Sequence, residues 1–324
     1  ALLGHTGGQG SLKAVLFPAW TRLWRARHEG HDVTVEPGEA QAAPRHALIG
    51  VRPCDLAAVQ ILDGVLLDGP GDPAYRARRE PALVVAANCV EPGGTCFCAS
   101  MGTGPRTRGG HDLVLTELPA AGPGPGGGQR LVAEPGSERG ARLLRQLEPP
   151  EAGADELQQV EQLMARAARS MGRRLETDGI RELLARNLEH PRWDEVARRC
   201  LTCGNCAMVC PTCFCSELEE RSDLAGRWSE RWRKWEVCFT LGFTHMHGRP
   251  VRGSDRSRYR QWLTHKLGTW HDQFGRSGCV GCGRCITWCP VGIDITEEAA
   301  AIRATDEAGG RSRATGGEHG DQDD

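Results

Sequence analysis

The stretch CLTCGNCAMVCP at residues 200–211, with its near copy CVGCGRCITWCP at residues 279–290, decides how this chain folds. Each reads Cys-x2-Cys-x2-Cys-x3-Cys-Pro, the run that wraps an iron–sulfur cube. Three cysteines two residues apart sit on one tight loop and reach three corners of the cube. The fourth opens a departing segment, and its thiolate belongs to the other cluster. The spacing therefore predicts crossed wiring. Cys200, Cys203, Cys206 and Cys289 hold one [4Fe-4S] cluster, and Cys279, Cys282, Cys285 and Cys210 hold a second. Pro211 and Pro290 turn the chain away after the fourth ligand, while Gly204, Gly281 and Gly283 let the backbone approach sulfur and donate N–H bonds to it. A structural zinc site gathers four ligands around one ion, so the whole motif twice over does not suit it. Disulfides need an oxidising compartment and do not call for this repeat.

At 324 residues the chain has room for about two domains, each with its own core. The formal charge of −2 creates no net attraction to nucleic acid or a membrane surface. Basic residues are nearly all arginine, with lysine only at 13, 234 and 266, which reads as a codon bias. Fifteen cysteines without a secretory signal point to a reducing, cytoplasmic interior in which thiols serve metal. No apolar run approaches the roughly 20 residues needed to cross a bilayer. The chain starts at Ala1 rather than methionine, so a natural start further upstream is expected.

In chain order, residues 11–28 combine a short apolar run with an Arg/Trp-rich piece, either a helix or an edge. ALIGV at 47–51 reads as a buried strand, and Asp55 can cap the helix that follows, with Leu56, Val59, Ile61, Leu62 and Leu66 on its apolar face. Further strands are expected at 82–88, 112–118 and 130–134, the last two flanking the Pro/Gly segment PAAGPGPGGG. From Asp155 to His190 the apolar spacing turns helical, and PRWDEVARR forms a short helix that delivers Cys200. Within the 68 residues between Cys210 and Cys279, Trp228, Trp232, Trp235 and Phe239 fall at i, i+4, i+7 and i+11, which predicts one face of a helix, either packed or open to a partner. The basic piece RPVRGSDRSRYRQWLTHK reads as a solvated helix, or as arginines that face a cluster or an acidic partner. The fold class is thus α+β: an N-terminal α/β domain over residues 1–150, a helical bridge at 151–199, and a ferredoxin-like two-cluster domain at 200–303 with a large helical insert at 211–278. A polar tail at 304–324 is expected to be disordered.

Seven cysteines remain. Cys54, Cys89, Cys96 and Cys98 form a set in the N-terminal domain, two of them at or just past strand ends, where α/β sheets place their ligands. They read as a third cluster site, with zinc or plain buried thiols as alternatives. Cys213, Cys215 and Cys238 fall one short of a four-cysteine site, so they read as unliganded thiols; a fourth cluster would need another ligand, with His245 and His247 nearby in sequence. No strand-linked Gly-x-Gly-x-x-Gly and no phosphate-binding Gly-x-x-x-x-Gly-Lys-Ser/Thr occur. The chain reads as a carrier of electrons whose chemistry happens on a partner.

The run GVRPCDLAAVQILD, the segment DPAYRARRE, then ANCVEPGGTCFCASMGTGP, CLTCGNCAMVCPTCFC and RSRYRQWLTHK before CVGCGRCITWCPVGIDITE resemble the beta subunit of cytosolic sulfhydrogenases, the NADP-linked [NiFe] hydrogenases. The likeness spans residues 11 to about 303. It implies an iron–sulfur electron-transfer subunit with the eight ligands above, a third cluster on Cys54, Cys89, Cys96 and Cys98, and partners that comprise a subunit binding FAD and NADP(H) and the [NiFe] small and large subunits. The layout is also similar to the electron-input subunit of anaerobic sulfite reductase. This chain departs from the pattern in lacking the usual N-terminal extension and in THMHGRPVRG. A catalytic flavoprotein that binds its own flavin and a metal-stabilised scaffold are the other classes; a flavin absorbance band and bleaching by dithionite, respectively, separate them from a pure carrier.

Overall fold

The computed structural model describes residues 3, 8–38, 44–119 and 129–315, without the side chains of 307–315. Most of the Pro/Gly segment (120–128) and the last nine residues of the tail lie outside the described residues. The chain opens with a short helix α1 (Leu12–Leu16) and a hairpin of β1 (Trp20–Glu29) and β2 (Asp32–Pro37). Then come β3 (Ala47–Val51), α2 (Pro53–Leu66), α3 (Pro73–Arg79), β4 (Leu83–Ala87), β5 (Leu113–Leu118) and β6 (Arg130–Pro135). Strands β3, β4 and β5 run parallel and β6 closes the sheet antiparallel, in the order β3-β4-β5-β6. Their near-continuous apolar runs suit a parallel sheet covered on both faces. Pro53 sits in the first turn of α2, where its missing N–H costs nothing. Leu56, Val59 and Leu62 of that helix bury against Leu48, Val84 and Val114. After α4 (Glu138–Leu147), α5 (Ala154–Arg169) covers the far end of the sheet with Val160 and Met164 against Leu118 and Val132.

The remaining helices build a second core. α6 (Ile180–Arg186), α7 (Arg192–Arg199), α8 (Asn205–Met208), α9 (Asp255–Thr264), α10 (Trp270–Phe274), α11 (Arg284–Thr287) and α12 (Ile295–Thr315) surround the two cysteine motifs. Leu183, Leu184, Trp193, Val196, Tyr259, Trp262, Leu263, Ile295 and Ile302 form its centre. So the expected helical bridge divides: α5 belongs to the sheet, α6 and α7 to the cysteine core. α9 is not a solvated helix. Its Arg258, Tyr259, Trp262 and Leu263 are buried, while Arg256 and Arg260 bond to Glu189 at 2.7 Å each. The final helix also extends through residues 304–315, where a disordered tail is expected from composition.

The largest departure lies in the insert. Residues 216–235 form a hairpin, β7 (Ser216–Ser222) and β8 (Trp228–Trp235), and β8 pairs with β1 to give a second sheet, β2-β1-β8-β7. A separation of four places two residues on one side of a strand as well as of a helix. Trp228 and Trp232 satisfy both periods, so only Trp235 tells them apart. It lies on the opposite face, stacked on Phe17 at 6.5 Å, while Trp232 meets Trp20 at 6.3 Å. The first part of the insert is therefore sheet, and residues 20–37 belong to that sheet rather than to the α/β unit. A two-stranded ladder, β9 (His245–Met246) with β10 (Arg249–Pro250), completes the elements.

The buried carboxylate of Glu298, on α12, ties the last helix to the one that delivers Cys200. It accepts from Arg192 Nε at 2.6 Å and from an Arg199 terminal nitrogen at 2.5 Å. Both guanidinium groups are partly exposed, which moderates the effect of losing their partner. Replacing Glu298 with glutamine should cost about 2 kcal/mol, read as a fall in the thermal midpoint under anaerobic conditions; an unchanged midpoint would show that the clamp adds nothing.

Candidate metal centres

The two motifs fold alike. In the first, Cys200 caps the end of α7, Cys203 is exposed, Gly204 turns the chain at φ +72°, and α8 carries Cys206 before Cys210. In the second, Gly283 at φ +73° opens α11, which carries Cys285 before Cys289. Cys200, Cys203, Cys206 and Cys289 line one cavity, so the fourth cysteine of the second motif joins the first three of the first. Backbone N–H groups point at two of these thiols, Thr202 N to Cys200 Sγ at 3.4 Å and Ile293 N to Cys289 Sγ at 3.2 Å. Tyr259 and Trp262 also line the cavity. Both are buried, and neither the Tyr259 hydroxyl nor Trp262 Nε1 has a hydrogen-bond partner among the described residues. Orphaned donors facing four thiols fit a cube, whose sulfides accept hydrogen bonds.

Cys279, Cys282, Cys285 and Cys210 form a second group in which every pair interacts electrostatically. Cys285 also lines the first cavity and feels Cys206, so the two groups adjoin. Burial pushes Cys279 up to about 12 and Cys282 up to about 11. Cys206 and Cys285 are driven well above the ordinary thiol range for the same reason. Thiols so placed stay protonated until a metal replaces the proton. Cys210 goes the other way. The Cys213 thiol donates to it, and Lys266 and the Thr212 hydroxyl stand beside it; together they hold it well below the usual range while Cys213 rises.

The N-terminal set comes together as well. Cys54 follows β3, Cys89 follows β4, and Cys98 has Cys96, Cys89 and Cys54 as electrostatic neighbours. Burial raises Cys98 to about 12. This set sits directly on the second motif: Phe97 N donates to Gly281 O at 2.8 Å, Thr103 Oγ1 to Val280 O at 2.6 Å, and Cys96 Sγ lies 3.7 Å from Cys282 O. Gly281 serves both sulfur and that docking: its N–H donates to Cys279 Sγ at 3.4 Å, and a Cβ on it would lie 2.7 Å from Cys98 Cα. Among the described residues no three His, Cys, Asp or Glu side chains converge tightly enough for a single ion. A cube needs no such convergence, because its thiolates attach to separate iron corners.

Cys213, Cys215 and Cys238 cluster around Lys266. His245 and His247 are exposed. The sequence reading missed the cations. Lys266 is buried with Nζ 2.9 Å from Thr212 Oγ1, and Lys13 is buried with Nζ 3.9 Å above the Trp235 ring. Arg284, also buried, pairs with Asp55 at 2.9 Å beside Cys54 and Cys282. A signal existed: in a chain that spells its basic residues as arginine, two of the three lysines stand beside the cysteines.

A family model for the 4Fe-4S dicluster domain matches residues 199–293, which covers both motifs and the insert. The chain is 31% identical over 274 residues to the sulfhydrogenase 2 subunit beta of Pyrococcus furiosus, covering 83% of this chain and 77% of that protein. No solved structure matches. No helix among the described residues is long and apolar enough to cross a membrane. The likeness thus runs along most of both chains, and this protein belongs to the sulfhydrogenase beta-subunit family of iron–sulfur proteins.

Proposed function

We propose that the chain is the iron–sulfur electron-transfer subunit of a cytoplasmic sulfhydrogenase-type [NiFe] hydrogenase. The observation that carries this reading is the cavity in which Cys289 joins Cys200, Cys203 and Cys206. Those four would hold one [4Fe-4S] cluster, and Cys279, Cys282, Cys285 and Cys210 the second. Cys54, Cys89, Cys96 and Cys98 would hold a third. Each cluster supplies reversible one-electron transfer. What the protein adds is order. The N-terminal set abuts Cys282, and Cys285 abuts the Cys206 cavity, so the second motif is the middle station of a line. A partner that binds FAD and NADP(H) would meet one end and the [NiFe] subunits the other.

The chain isolated anaerobically should carry about 12 Fe and about 12 acid-labile sulfides. A fully reconstituted sample near 8 of each would remove the N-terminal site. No flavin absorbance band should survive in the isolated protein, and a [NiFe] large subunit should copurify from its native source. A sirohaem protein in its place would overturn the hydrogenase assignment.

A further inference from the structure

The two ferredoxin-type sites have the same ligand chemistry and different electrostatics. Around Cys200, Cys203, Cys206 and Cys289 the wall is aromatic and aliphatic, and its unpaired donors, Tyr259 and Trp262, are neutral. Around Cys210 the wall is cationic. Lys266 is 5% exposed and lies on the π-helical turn His265–Thr269 that joins α9 to α10, a distortion often found at functional sites. Its ammonium donates to Thr212 Oγ1 at 2.9 Å, and that oxygen is 3.1 Å from Cys210 Sγ. Its carbonyl accepts from Gly278 N at 2.8 Å, so the segment entering Cys279 fixes the turn. Lys13 brings a second buried ammonium, bonded to Met208 O at 3.2 Å and Cys213 O at 3.1 Å.

Among the described residues neither lysine has a carboxylate partner; their bonds go to a hydroxyl and to carbonyls. A buried ammonium keeps its charge only beside negative charge, and the groups that both lysines face are the sulfurs of Cys210 and Cys213. Reducing a cluster adds one electron to a group that is already anionic, and a fixed ammonium close by favours that added charge. A full charge in a low-dielectric site outweighs neutral hydrogen bonds.

Building on the ligand assignment above, we propose that Lys266, supported by Lys13, sets the reduction potential of the cluster on Cys279, Cys282, Cys285 and Cys210, and holds it above that of the cluster on Cys200, Cys203, Cys206 and Cys289. Of these two clusters, the second is then the one on which an electron rests.

Potentiometric titration of the anaerobic complex, followed by electron paramagnetic resonance, tests this. In Lys266→Met one midpoint should fall, by at least tenfold in the reduced-to-oxidised ratio at a given potential, or about 59 mV for one electron. The other midpoints should stay. Lys266→Arg, which keeps the charge, should stay close to wild type, and Lys13→Met should shift the same midpoint less far. Unmoved midpoints in Lys266→Met, equal movement of all of them, or as large a fall in Lys266→Arg would each overturn the role of the charge. If Lys266→Met and the equally neutral Lys266→Gln both lose iron, retention of iron by Lys266→Arg supports charge compensation, and loss from all three overturns it. The wild-type protein guards the underlying assignment, since fewer than two ferredoxin-type clusters there would break the ligand reading whatever Lys266 does.

Discussion

Replacing Cys206 with alanine is expected to leave the protein about four iron atoms short of wild type and to lower its thermal midpoint sharply. Cys206 is the third thiol of the first loop, half-buried on α8 and packed against the core that holds Trp193, Tyr259 and Trp262. The truncation opens only a small hole; the larger loss is the proposed ligation, which would tie α8 to the segment carrying Cys289. Cys238 is the control. It lies close to Cys206 but stands outside the proposed ligand set, so Cys238→Ala should keep the wild-type iron content. Iron and sulfide analysis with anaerobic calorimetry decides the matter, and a full iron complement in Cys206→Ala would strike that residue from the ligands.

Gly283→Val should separate the N-terminal loop from the second motif. Gly283 sits at φ +73°, and a Cβ there would lie 2.2 Å from Thr95 O. The left-handed backbone costs a non-glycine residue about 1–2 kcal/mol, and the overlap adds about 1–3 kcal/mol. The loop between Thr95 and Cys98 must yield, so the proposed third site should lose its iron along with the stability. Gly226→Val, at φ +65° in open space on the β7–β8 turn, carries the backbone cost alone and should keep every cluster. Equal thermal shifts in the two variants would mean that the close approach to Thr95 has no weight.

How far the sequence disclosed this structure depends on what each signal measures. Ligand spacing is a local property, so α7 and the placement of Cys289 beside Cys200, Cys203 and Cys206 were legible before any fold was known. The strands from 47 to 134 were legible because long apolar runs between turn residues suit a parallel sheet. Pairing across long separations leaves no local trace. Nothing within WTRLWRARHE or WSERWRKW says that they are neighbours, and their tryptophans satisfy a helical period equally well. The basic face of α9 misled for a related reason: Arg258 is charged yet buried, because Phe239 O and Asp255 satisfy its guanidinium. In the cysteine sites the proposed ligands come from spacing, whereas Lys13, Lys266 and Tyr259 become meaningful only when residues far apart in the chain meet.

The ladder between β1 and β8 also bears on how the protein is made. Trp20 pairs with Lys234, so the hairpin of β1 and β2 emerges from the ribosome with an open edge and waits through more than 200 residues for its neighbour. Such distant pairing is slow to find, and an exposed edge invites association with other chains. Lys13 lies just ahead of β1, and its contacts to Met208 and Cys213 join the same late event. The cation that faces Cys213 therefore arrives only after the sheet has zipped. A cofactor taken up at the second motif before that point would lack Lys13 beside it.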